Sequence, residues 1–207
     1  MNINFTELSK SYRWKRVFEK ISGHISDGDR VGLVGVNGVG KTTLAKLLAG
    51  LEEKDSGTIT YSPSYIKVLY IEQYPVFDEN ITVYDEALRV ALKSYDNRAH
   101  VEAIVKKNLV KVGLGENKWR QKAISLSGGE KTKLALFKAC VAEFDFLILD
   151  EPTNHLDMKS LAWLEEFVLK ISKPILVISH DRFFLDKVAN KIWELTPQEL
   201  KAYDGNY

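Results

Sequence analysis

The chain carries a single cysteine, Cys140, among its 207 residues. One thiol forms neither an intrachain disulfide nor a multi-cysteine zinc site. That points to a reducing compartment, and the expected location is cytoplasmic. Long apolar runs are also missing. The longest, residues 146–149 and 175–178, are far too short to cross a bilayer. No direct membrane insertion is therefore expected, and any membrane role needs a partner chain. The N-terminus, Met1-Asn2-Ile3-Asn4-Phe5-Thr6-Glu7, lacks the basic-then-apolar order of a secretory signal. Internal repeats, low-complexity tracts and Pro-, Gly- or Ser-rich linkers are absent too. Nor is there an excess of one charge. With 29 Lys+Arg against 28 Asp+Glu the net charge is +1. This argues against nucleic-acid binding by bulk charge but leaves room for a local basic patch.

What remains is an ordinary globular composition, 45% hydrophobic and 28% charged. The length suits one large domain or two small ones, with a real core. Residues 2–7 and 17–25 read as strands, and Asp27-Gly28-Asp29 as a turn. A short buried strand, 31–34, runs into a glycine-rich loop and a helix over 43–49, stopped by Gly50. Ser56-Gly57 marks a turn, and 58–61 and 66–71 are strands rich in Ile, Val and Tyr.

The middle of the chain changes character. Thr82 and Asp85 have capping-box spacing, followed by a helical pattern through Leu92. Val101, Ile104, Val105, Leu109 and Val112 fall on one helical face that ends at Gly113. Residues 75–120 therefore read as a helical insert. Helices over 128–142, 158–169 and 183–189 then alternate with strands over 146–149, 175–178 and 191–195. Alternation of this kind implies parallel pairing through right-handed crossovers. The expected fold is α/β: a parallel core sheet, an antiparallel β edge and the helical insert, in one domain over 1–207.

Gly35-Val36-Asn37-Gly38-Val39-Gly40-Lys41-Thr42 matches G-x-x-x-x-G-K-[ST] in full, with an apolar strand before it and a helix after it. Typical residue frequencies give a chance match of about 1 in 100 for such a chain, so the loop is read as a P-loop. Its glycines let backbone N–H groups curl around phosphates, and the helix N-terminus adds positive dipole. The expected nucleotide-phosphate-binding set is Gly35, Asn37, Gly38, Val39, Gly40, Lys41, Thr42 and Thr43, and the loop alone says only P-loop NTPase. Lys41 is suited to the β- and γ-phosphates, and the Thr42 hydroxyl to Mg²⁺.

Four further signals are weaker alone. Asp150-Glu151 ends the apolar run 146–149, where a buried parallel strand meets a ligand crevice. Asp150 suits the Mg²⁺ shell and Glu151 the attacking water. The bland alternative is a surface acid pair. Leu126-Ser127-Gly128-Gly129-Glu130 opens a helix that Ser127 can cap, another anion-friendly start or simply a capped helix. His180 follows the strand 175–178 and can contact the γ-phosphate end, although a lone histidine is more often structural. Gln73 follows the strand 66–71 and could ligate Mg²⁺ through its amide oxygen.

In this order, over essentially the whole chain, these residues resemble an ATP-binding-cassette (ABC) ATPase domain. The remaining matches are Leu156-Asp157 and Ser179-His180-Asp181. The resemblance implies that two such domains pair head-to-tail, through a second ABC domain or by homodimerisation. Ser127, Gly128, Gly129 and Glu130 would then serve the partner's ATP, and Asp157 would lie in the loop crossing the interface. It assigns catalysis to Glu151, His180, Lys41 and Gln73, and Mg²⁺ to Thr42, Gln73 and Asp150. Tyr12 would stack on adenine, with Trp14 a less fitting stand-in.

Within that family, Glu151-Pro152-Thr153-Asn154-His155-Leu156-Asp157 resembles the ABC-F branch, which makes His155 a branch marker rather than a metal ligand. So do residues 179–185 and the ending Tyr203-Asp204-Gly205-Asn206-Tyr207. Members of that branch are soluble, carry two ABC domains in one chain, and many act at the ribosome, some in antibiotic resistance. A single ABC domain here implies a fragment, the N-terminal half of a longer chain. The insert between Gln73 and Ser127 leaves little room for the long helical arm of many relatives. The competing expectation is the nucleotide-binding subunit of an ABC membrane transporter, which differs only in partner.

Overall fold

In the computed structural model, which describes residues 1–95 and 97–205, β1 (Asn2–Tyr12) and β2 (Lys15–Ser26) form a long hairpin. β1 is longer than the expected 2–7 because a bulge interrupts its alternation. The register shifts between Phe5 and Leu8, and Glu7 has a left-handed φ of 50°. Beyond the bulge, Leu8 and Lys10 turn inward again. The same bulge corrects the reading of Ser56-Gly57 as a turn. Both residues lie in β4 (Ser56–Ser62), which pairs with β1. A Cβ on Gly57 would lie 2.5 Å from the Glu7 carbonyl oxygen, so the glycine serves close backbone approach.

The strands form two sheets. One is three-stranded and antiparallel, ordered β2-β1-β4. The other has the order β5-β6-β7-β3-β8-β9. Its β3 (Arg30–Val34), β6 (Phe146–Asp150), β7 (Ile175–Ile178) and β8 (Lys191–Leu195) run parallel. β5 (Val68–Ile71) starts two residues later than expected. β9 (Leu200–Asp204), which the pattern did not reveal, closes the edge antiparallel to β8. It is exposed along most of its length, so no apolar periodicity announced it. Its Tyr203 and Asp204 belong to the family-like ending; Asn206 and Tyr207 lie outside the described residues.

Two compact units emerge. The first comprises Met1–Tyr70, Phe144–Glu151 and Val168–Tyr207. Its core joins both sheets, with Phe5 edge-on to Trp193 at 5.6 Å. β6 and β7 are buried at every position, as central parallel strands must be. α1 (Lys41–Leu48) packs on β6 and β7, and Leu185 of α6 (Arg182–Val188) lies against Gly32. The second unit comprises Ile71–Glu143 and Pro152–Phe167, a wider span than residues 75–120. Its core gathers one face each of α2 (Val83–Ala91), α3 (Arg98–Lys111) and α4 (Gly128–Val141) around Val101, Val105, Leu109, Leu134 and Phe137. Thr82 caps α2, accepting from the Asp85 amide at 3.1 Å, and Asn97 caps α3. Cys140 is partly buried against this core, and burial pushes its thiol up to about 11, an inert packing residue. α5 (Met158–Lys170) follows the 152–157 loop. Among the described residues, no helix is long and apolar enough to cross a membrane.

Candidate active site

Three parallel strands of the first unit end at one edge of the sheet. Leu33 pairs with Ile178, and Ile178 with Asp150. The loops after β3, β7 and β6 therefore leave together at the carboxyl edge, where open α/β sheets bind ligands. A cavity of about 420 Å³ opens there, lined by Gly35, Asn37, Ser179 and His180 among others.

The loop after β3 ends in α1, which begins at Lys41, two residues before the expected start. Its N-cap is Gly40, which has no side chain to cap the first-turn N–H groups. Gly40 has φ +111°, and a Cβ there would lie 2.2 Å from Val17 Cγ1. The Lys41 side chain is 7% exposed and folds back over the loop. Its ammonium donates to the Gly35 carbonyl at 2.8 Å and the Val36 carbonyl at 3.3 Å. Burial pulls its pKa below the ordinary lysine value, while the carboxylates of Glu151 and Asp150 oppose that shift.

Asp150 closes β6 and is 2% exposed. The Tyr70 hydroxyl donates to its Oδ2 at 2.7 Å. Its Oδ1 is buried with no hydrogen-bond partner among the described residues. A buried carboxylate oxygen so placed costs free energy unless a cation or an ordered water satisfies it. This orphaned oxygen fits a magnesium shell, and Thr42 stands in the first turn of α1. Among the described residues no three His, Cys, Asp or Glu side chains converge as a metal cage. A cation here would need phosphate oxygens as co-ligands.

Glu151 follows with a left-handed φ of 50°, and its amide donates to the Ile178 carbonyl at 2.8 Å. Strain of this kind persists where neighbours hold the backbone in place. The side chain is buried, and its Oε1 lies 3.3 Å from His180 Nε2. Desolvation raises the Glu151 pKa above its ordinary value, and His180 opposes that rise. Asp181 is the N-cap of α6, accepting from the Phe184 amide at 3.0 Å.

Tyr12 sits at the exposed end of the hairpin, with the Lys10 ammonium 5.0 Å from its ring centroid. Lys10 is in turn held by Glu52 at 3.0 Å.

The second unit holds the other candidates. Ser127 and Glu130 form the capping box that starts α4. Ser127 N donates to Glu130 Oε2 at 3.0 Å, and Lys118 pairs with Glu130 Oε1 at 2.9 Å. These contacts hold the Glu130 carboxyl down at about 2. Asp157 accepts from the Ser160 amide at 2.8 Å and pairs with Lys133 of α4 at 2.8 Å. The Lys133 ammonium holds its carboxyl far below the usual range. Gln73 lies two residues past β5, half-buried.

Gly128 and Gly129 prove to be shaped by His155. A Cβ on Gly129 would lie 2.3 Å from the His155 carbonyl oxygen, and one on Gly128 3.4 Å from its ring. His155 holds a left-handed φ of 62°. Gly129→Ala should therefore displace the start of α4. A displacement near 1 Å costs about 100-fold in turnover, measured as phosphate release at high protein concentration. ATP affinity of the dilute chain should stay unchanged in a filter-binding assay.

A family model described as ABC transporter matches residues 18–154. The chain belongs to the ABC transporter family. It is 30% identical to ABC transporter F family member 5 of Arabidopsis thaliana, over 99% of this chain and 35% of that protein. It is 33% identical to the energy-dependent translational throttle protein EttA of Haemophilus influenzae, over 93% of this chain and 41% of that one. The chain thus spans well under half the length of these relatives. Among solved structures, an ATP-binding subunit of an ABC transporter superposes with a TM-score of 0.86 at 25% identity, covering 99% of this chain and 90% of that one. The fold is that of an ABC-type P-loop nucleotide-binding domain.

Three residues of this family site escaped the sequence. Tyr70 read only as a strand aromatic, although its hydroxyl reaches Asp150. Lys133 drew no reading of its own, although it ties α4 to Asp157. His155 read as a branch marker, although its backbone shapes Gly129. None carries a local signal, because each partner lies tens of residues away.

Proposed function

We propose that this ABC domain binds MgATP and hydrolyses it to ADP and phosphate, with each site completed by a second ABC domain. The observation that carries the reading is the buried Asp150 Oδ1, unpartnered among the described residues, beside the buried Glu151 carboxylate that the exposed His180 meets at 3.3 Å. Loop amides and the first turn of α1 hold the β- and γ-phosphates. Lys41 exchanges its carbonyl partners for phosphate oxygens and stabilises their charge. Thr42 and Asp150 would hold Mg²⁺, to which the family resemblance adds Gln73, and the ion would supply neutralisation of phosphate charge. Glu151 accepts a proton from the attacking water through its carboxylate. His180 keeps that carboxylate aimed and meets the γ-phosphate end.

Ser127, Gly128, Gly129 and Glu130 would face the partner domain's nucleotide, with Asp157 in the loop between the domains. ATP bridging two domains favours closure, and hydrolysis lets them open. Support for the ABC-F branch, and for the ribosome as its target in the cytoplasm, comes from the F-family relative, the translational relative and residues 151–157. An antibiotic-resistance role belongs to the same reading. The transporter-subunit alternative has the structural neighbour in its favour.

Two measurements test this. Phosphate release that rises with protein concentration supports a shared site; concentration-independent turnover by a proven monomer sinks it. Co-sedimentation with ribosomes in ATP, absent in ADP, tests the target. Tyr12→Ala should weaken ATP binding roughly 5- to 150-fold through lost base stacking and spare inorganic pyrophosphate binding, read by calorimetry.

A further inference from the structure

The β1–β2 hairpin closes through Tyr12 paired with Lys15, which leaves Arg13 and Trp14 as its two central residues. Arg13, alone of the two, has a positive φ, 52°. Two-residue hairpin loops with positive φ at the first central position ordinarily carry glycine there. An arginine in that conformation costs folding free energy that glycine would not. Trp14 is 99% exposed, so its indole adds nothing to the core. Lys15 and Arg16 are exposed as well. Arg16 pairs with Glu19, whereas among the described residues neither Arg13 nor Lys15 has an ion-pair partner. A strained arginine, a bare indole and two further cations thus stand in a row at one tip of a chain whose net charge is only +1. Fold stability explains neither the strained Arg13 nor the bare Trp14, and the pairing of aromatic with basic residues matches a ligand that is both anionic and stackable.

We propose that the Arg13-Trp14-Lys15-Arg16 tip is a contact for single-stranded RNA. The Trp14 indole stacks on an unpaired base, and Arg13 and Lys15 take the flanking phosphates. Base stacking on an aromatic ring tolerates any sequence, and the cations gain by releasing counterions. A membrane fits less well, because one indole on a short tip buries little apolar area and stable anchoring needs a second signal. An acidic peptide would satisfy the cations and leave the indole unused. The choice of RNA rests on the ribosome reading above; the tip itself asks only for a polyanion with exposed bases.

The test titrates the 207-residue chain into a fluorescein-labelled oligouridylate of about 12 nucleotides, followed by anisotropy. Trp14→Ala should weaken binding about tenfold or more. Arg13→Gly with Lys15→Ser should lower the log–log salt slope by about 1.4, at about 0.7 per phosphate contact. Arg13→Gly with Trp14→Ser should lose binding while its melting temperature equals or exceeds that of the wild type. Unchanged RNA affinity in Trp14→Ala overturns the proposal. So does a lower melting temperature in the Gly-Ser variant, since the tip would then serve the fold. A Trp14→Ala variant that loses ATP affinity instead assigns the indole to the nucleotide, and one that loses only binding to phosphatidylglycerol vesicles assigns it to lipid; either refutes the RNA contact. Tip-dependent RNA binding without ribosome co-sedimentation would sink the ribosome reading and leave the tip standing.

Discussion

Glu151→Gln should nearly abolish phosphate release while leaving ATP affinity intact. Glutamine keeps the size of the side chain and loses only its capacity to accept a proton. General-base catalysis contributes roughly 10²–10⁴-fold, and turnover should fall by that factor. The geometry makes the residue the best candidate. Its carboxylate is 7% exposed, at the carboxyl edge of the parallel strands, with Oε1 3.3 Å from His180 Nε2. Unchanged phosphate release in the variant would remove Glu151 from its role.

The pH dependence follows from the same burial. Desolvation raises the folded pKa of Glu151 above its ordinary value of 4.5. The acidic limb of the rate profile should therefore lie above the usual carboxylate range, and the residual activity of Glu151→Gln should lack it. Stability moves in the opposite sense. In the window between the unfolded and the raised folded pKa the native state binds more protons, so rising pH there lowers stability. Glu151→Gln should consequently melt above the wild type at neutral pH, with the difference vanishing below the unfolded carboxylate pKa. Melting curves at two pH values check the sign.

Gly40→Ala is the second large effect. At φ +111° any side chain is strained, by about 1–3 kcal/mol. The added Cβ would also lie 2.2 Å from Val17 Cγ1 and 3.1 Å from Phe18 Cδ1. Val17 and Phe18 are buried in β2 and cannot swing away as a long surface side chain could. The loop must move instead, carrying the first-turn amides of α1 away from the phosphates. Losing two such charge-assisted hydrogen bonds, at about 1.5 kcal/mol each, weakens nucleotide binding on the order of 100-fold. Calorimetry with ATP and with inorganic pyrophosphate should show the same loss, because the damage is to the phosphate cradle and not to the base. A loss confined to ATP would move the effect to the adenine end.

Much of the architecture was legible in the chain. Central strands β3, β6 and β7 announced themselves as short apolar runs, since a strand covered on both faces admits nothing else. Gly35 to Thr42 declared the phosphate loop, because few backbones can wrap an anion and each needs glycine at set places. The caps Thr82 and Ser127 were readable for a similar reason: a side chain three residues from its target needs no tertiary information.

The differences arose where partners are distant. The bulge at Glu7 turned Ser56-Gly57 from an apparent turn into a strand, a fact held in the pairing of β1 with β4. The Tyr70 hydroxyl on Asp150 spans 80 residues of sequence. It decides which carboxylate oxygen is satisfied and which is left for a cation. Local order along a chain follows from bond geometry and side-chain period, so spacing alone determined the central parallel strands, most of the helices and the phosphate loop. Contacts between remote segments follow from packing. Only the folded structure decided that Gly129 must be bare beneath the His155 carbonyl, that Glu151 is buried against His180, and that Trp14 stands in solvent on a strained turn.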